Sequence, residues 1–203
     1  MRAEGLLVAP LRARLAAGAL LLAMPAAAQP TGFDWPCVQA KVPTLTPAVV
    51  WAGPPFEEGL DWEMDVEVAS LVERLSQRRV PEEEALAEIG AFAAGADAGR
   101  LTLLFAGLFE RMNAERSDVV AGIERYARRQ ISEADRIRAQ ASALERRRGE
   151  AGAEEIAAAE DDLAWAIRVF DDRRDALGYA CEVPRLIEQR LFALGRAIAA
   201  AVE

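Results

Sequence analysis

Two cysteines, one run of alternating acids and several arginine clusters are the side chains of this chain that could do chemistry. Cys37 and Cys181 do not form a Cys-x-x-Cys pair, and the chain has no histidine to activate either thiol. In an oxidising compartment their even count predicts a structural Cys37–Cys181 disulfide, with free or intermolecular thiols as the alternative. The loop closed is long, so the chain-entropy relation assigns such a bridge about 4–5 kcal/mol. Lack of histidine also removes the commonest general base, Ser-His pairs, most zinc and copper sites, and c-type haem attachment. There is no Gly-x-Ser-x-Gly elbow and no phosphate-cradling glycine loop. The expectation is a non-enzyme with no catalytic residue, no cofactor and no metal ligand.

The charged clusters read blandly. Asp61, Glu63, Asp65 and Glu67 alternate like an oxygen-rich cation loop. Val66 and Val72 stand where a calcium loop needs Gly and Glu, so a solvated acidic helix start is the favoured reading. Arg146, Arg147 and Arg148 are diluted by Glu145, Glu150, Glu154 and Glu155. With Arg138 they form the candidate partner-contact tip of a hairpin. Asp171-Asp172-Arg173-Arg174 suggests a surface ion-pair network, although Arg173 falls on an apolar seam, where burial would demand a carboxylate.

The elements that position these residues begin after an export signal. Arg2, Arg12 and Arg14 precede the apolar stretch Leu15 to Met24, and Ala26-Ala27-Ala28 offers small residues for cleavage before Gln29. The stretch is too short to span a bilayer, so residues 1–28 read as a cleavable signal peptide and the protein as periplasmic. Cleavage leaves 175 of the 203 residues. It removes three of 24 basic and one of 33 acidic residues, for a net charge of −11. That balance argues against nucleic acid or anionic lipid as partner, and no transmembrane segment is expected in the mature chain.

Residues 29–60 carry six of the ten prolines, with Phe33, Trp35, Trp51 and Phe56 between them. This segment should run extended over a helical bundle, pinned by Cys37, with one short helix capped by Thr46 and opened by Pro47. Residues 61–203 read as helix throughout. A first helix spans Trp62 to Arg79, with Met64 on its inner face; a second starts at Pro81 and ends at Gly95. A third starts near Asp97 and is apolar nearly all round, which marks a central helix. Whether it stops near Asn113 or continues past Ser117 is left open.

Residues 118–178 form an antiparallel coiled-coil hairpin. The seams Val120, Ile123, Ala127, Gln130, Ala134, Ile137, Ala141, Leu144 and Ile156, Ala159, Leu163, Ala166, Phe170, Arg173, Leu177 match so that, from Ile123 on, paired residue numbers sum to 300. Arg147–Glu155, Arg138–Glu160 and Glu124–Arg174 pairs favour the same register. Apolar flanks (Tyr126, Ile131, Ile167, Val169) suggest a packed base, and charged flanks a free tip from Arg138 to Gly149, about 18 Å long. Pro184 should open a last helix with Ile187, Leu191, Leu194 and Ile198 inward.

Phe33-Asp34-Trp35-Pro36-Cys37-Val38-Gln39 and Cys181-Glu182-Val183-Pro184-Arg185-Leu186-Ile187-Glu188-Gln189-Arg190-Leu191-Phe192, taken together, resemble small exported proteins of Gram-negative bacteria. The resemblance covers the two ends of the mature chain. It implies that the cysteine-bearing segments belong together, and no catalytic role.

The combined expectation is an all-α bundle with a protruding hairpin and an extended N-terminal segment. It would be a non-catalytic periplasmic scaffold that contacts another envelope protein. The alternatives are a small-molecule or cation binder using carboxylates and Arg, or a His-free carboxylate hydrolase.

Overall fold

Asp97 starts the longest run of regular backbone. Its own backbone is extended and its carboxylate accepts the Arg100 amide at 2.8 Å, an N-cap for the helix that follows. The computed structural model of this protein describes residues 35–57 and 59–202, all within the unit Thr31–Glu203. The expected signal peptide, Gln29, Pro30 and Phe33 lie outside the described residues.

Among the described residues every regular element is helical. They are α1 (Pro47–Val50), a 3-10 turn (Trp62–Met64), α2 (Val66–Leu75), α3 (Glu82–Ala93), α4 (Ala98–Arg147) and α5 (Ala153–Val202). α4 passes Asn113 and Ser117 without a break. The Ser117 hydroxyl donates to the Pro43 carbonyl instead of capping a new helix. α5 likewise runs through Pro184, which does not open a separate helix. Proline removes one amide and crowds the carbonyl four residues back, at about 3 kcal/mol in a helix interior. Here the flanking turns are held from outside, by the Cys181 bridge before Pro184 and by the fully buried Ile187 and Leu191 after it.

The core lies between the first half of α4 and the last third of α5. Leu101, Leu104, Phe105, Leu108 and Met112 meet Ile187, Leu191, Leu194 and Ile198 there, and α2 and α3 close it with Val68, Val72, Leu75 and Ile89. The N-terminal segment covers one side. Trp51 stacks on Phe105 at 4.1 Å, and Phe56 stands edge-on to both rings. The Leu45 amide donates to Asn113 Oδ1, and Asn113 Nδ2 donates back to the Leu45 carbonyl. Gly195 permits this close fit: a Cβ there would sit 2.8 Å from the Val50 carbonyl oxygen and 2.9 Å from Phe105.

The first bundle helix starts later than its sequence suggests. Asp65 accepts from the amides of Glu67 and Val68 and so sets the start of α2. Met64 falls before that cap, out of phase with the inner face, and is 82% exposed rather than inward.

Candidate functional site: the two-helix arm and the cavity at its root

Beyond Ala127 the α4–α5 pair leaves the body. α4 buries no side chain from Arg128 to Ala143, and α5 buries none from Ala153 to Ala176; Leu144 alone closes the seam near the tip. The free arm therefore starts at Arg128 rather than Arg138. Its α4 strand has 20 residues, about 30 Å at 1.5 Å per residue. The expected packed base is open as well: Ile131 is 41% and Ile167 42% exposed. Trp165 is 63% exposed under the Arg168 guanidinium.

Cys37 and Cys181 form the disulfide at the root of the arm, across 144 residues of sequence. Cys37 packs with Ile123 and Leu177, a matched pair of the expected register, and Trp35 and Tyr126 lie against them. Polar contacts fasten the same place. Trp35 Nε1 donates to the Gln39 carbonyl at 2.7 Å, and Gln39 Nε2 donates to Glu182 at 2.9 Å. Arg185 binds the other Glu182 oxygen; that bond first, then its charge and the Gln39 bond, hold the Glu182 carboxyl below the usual carboxylate range.

The tip arginines are largely neutralised. Arg147 pairs with Glu155, as the register requires. Arg148 reaches Glu160 at 2.9 Å and Arg138 pairs with Asp135, so the expected Arg138–Glu160 pair does not form. Glu124 pairs with Lys41, and Arg174 with Asp171 and Asp175, which displaces the expected Glu124–Arg174 pair. In both cases the arginine takes a carboxylate nearer in sequence, and Glu124 takes the Lys41 ammonium from the N-terminal segment. Among the described residues, Arg146 is the tip arginine left without a carboxylate.

A cavity of about 580 Å³ opens where the arm leaves the body. Tyr126, Arg129, Gln130, Glu133 and Arg136 line it from α4, and Arg173 lines it from α5. Arg173 is exposed, so it does not need the buried carboxylate that a seam position would demand. Arg136 is paired with Glu133. Gln130 Nε2 is buried with no hydrogen-bond partner.

The buried guanidiniums are elsewhere, at positions sequence reasoning passed over. Arg116, 2% exposed, binds Glu188 and the Pro43 carbonyl. Arg190 donates to the Leu75 carbonyl through Nε and Nη2 and to the Val80 carbonyl through Nη1, tying off the end of α2. Burial depresses the Arg190 pKa. Both residues fall on inward spacings, Met112–Arg116–Val120 and Ile187–Arg190–Leu194, and that was the available signal.

The acidic run has a structural task. Asp65 and Glu67 share the Arg100 guanidinium, at 2.8 Å each. The Arg100 hydrogen bond, helped by the Val68 amide, holds the Asp65 carboxyl down at about 2. Among the described residues no group of three or more His, Cys, Asp or Glu gathers to hold a metal ion. No helix among them is long and apolar enough to cross a membrane. No family model matches this chain, and neither a curated protein nor a solved structure does.

Proposed function

We propose that this is an exported, non-catalytic binding protein of the bacterial envelope, and that its arm docks against another envelope protein. The observation behind this reading is the arm itself. Two helices continue about 30 Å past the core, fully bury only Leu144 in a half-buried seam, and leave Trp165, Ile131 and Ile167 substantially exposed. Exposed large apolar side chains on a helical arm suit a protein partner, with Trp as the type of residue that dominates such interfaces. The bridge between Cys37 and Cys181 supports an oxidising compartment, as does the signal-like sequence of residues 1–28.

In-cell photocrosslinking tests the reading. A crosslinker at position 165 should yield one discrete protein adduct, and the same probe at Glu83, exposed on the body, should not. Deleting 139–151 should change or abolish that adduct. Equal labelling from both positions, or partner capture indifferent to the deletion, rules it out.

A further inference from the structure

We propose that the cavity at the root of the arm binds a small multivalent oxyanion, with Arg129 and Arg173 as its two guanidinium clamps and Gln130 as a neutral donor between them. The inference goes beyond docking and does not depend on a protein partner.

The charge balance of the cavity carries it. This is an acidic chain, formal charge −9, and among the described residues most arginines stand against carboxylates, carbonyls or rings. Among the described residues Arg129 and Arg173 have neither an ion pair nor a hydrogen bond from their guanidiniums. They come from different helices, yet line one cavity. Arg136, the third arginine there, is spent on Glu133, and Ser132 Oγ donates to the Arg128 carbonyl of its own helix. Two uncompensated positive charges therefore face one space.

Solvated arginines on a helical arm are ordinary, and Arg146 at the tip is one. The cavity differs by its amide. Gln130 occupies a seam position opposite Phe170, where an apolar residue would pack; its Nε2 is buried without an acceptor, and the NH2 comes to the cavity when the side-chain amide turns over, an exchange of O and N that costs the seam nothing in shape. A buried donor left unmade keeps its full desolvation penalty, so such a group calls for an acceptor. Guanidinium forks grip phosphate and carboxylate oxygens two at a time, which fits an anion bridging α4 and α5. Tyr126 supports the geometry: its hydroxyl donates to the Arg173 carbonyl at 3.4 Å and links the two helices at this level.

Calorimetry on the full mature chain with inorganic phosphate, pyrophosphate and citrate tests the proposal, with the Gln130 side-chain amide followed by NMR. At least one of the three should bind at millimolar concentration or tighter and shift the Gln130 NH2 signals. Binding to the phosphates alone assigns a phosphate site; binding to citrate alone assigns a polycarboxylate site. R129A and R173A should each weaken binding about tenfold, the scale of one charge-assisted contact. R146A should leave it unchanged. Q130L separates binding from packing, since it should weaken the anion while raising the melting temperature of the arm. No heat and no Gln130 shift with any of the three anions overturns the proposal. Binding indifferent to both R129A and R173A overturns it too.

Discussion

The same two helices behave differently at their two ends. From Ala98 to Ala127, α4 buries twelve residues, Phe105 and Leu108 among them; from Arg128 to Arg147 it buries Leu144 alone. α5 mirrors this, with all its buried residues from Leu177 onward. In the body, side chains interlock so closely that Gly195 has no room for a methyl group. In the arm four of the eleven seam residues from Gln130 to Arg173 are alanine, and local pairs such as Arg136–Glu133 and Arg138–Asp135 decorate the surface. Such exposed pairs add a few tenths of a kcal/mol each. Helix length is thus not set by the core: it persists on propensity and a thin seam once the body has nucleated it.

The contrast can be broken most forcefully at the boundary. Reducing the Cys37–Cys181 bridge releases a loop closed across 144 residues, and the chain-entropy relation puts the loss at about 5 kcal/mol. Urea unfolding of oxidised and reduced protein should differ by that order. A difference below about 1 kcal/mol would mean that the reduced chain already holds the N-terminal segment in place.

Matched truncations come next. Phe105→Ala in the body should cost about 4 kcal/mol, because the ring is fully buried and stacked by Trp51. Phe170→Ala in the arm should cost about 1 kcal/mol, because the ring is only half-buried. Equal losses in denaturant titrations would remove the distinction between the regions.

Glycines sharpen the same comparison on a smaller scale. Gly195→Ala drives a methyl against the Val50 backbone and should destabilise by about 2 kcal/mol. Gly149→Ala at the tip meets nothing within 4 Å and should stay within about 0.5 kcal/mol.

The smallest effect is one of pH. The Asp65 pKa lies below its unfolded value near 3.8, so its contribution is complete above that value and is lost as pH falls through about 2. Asp65→Asn should flatten the acid limb of the body's stability and leave the unfolding of the arm unmoved.

Much of this division is legible in the sequence, because periodicity reports which faces meet. The register that places Ile123 opposite Leu177 and Arg147 opposite Glu155 needs only two apolar seams and a short turn. The point where the arm leaves the body was not legible. Ile131 and Ile167 look like core residues, and only the length of the body says that nothing reaches them. Pro184 reads as a helix start because local rules see the lost amide and not the packing on either side. Arg116 and Arg190 sit on inward faces, but their partners at Glu188, Pro43, Leu75 and Val80 lie far away in sequence. Arg173 stands out in the sequence as a charge on an apolar seam, but that it shares one cavity with Arg129 and Gln130 needed both helices in place.

Hydrogen exchange across the two long helices tests the difference between body and arm most directly. Amides of 101–112 and 187–198 should exchange only through global unfolding. Those of 128–143 and 156–173 should open several kcal/mol below it, with the bridge at Cys37–Cys181 as the step between the two regimes. Uniform protection along the whole of α4 and α5 would contradict a separate arm.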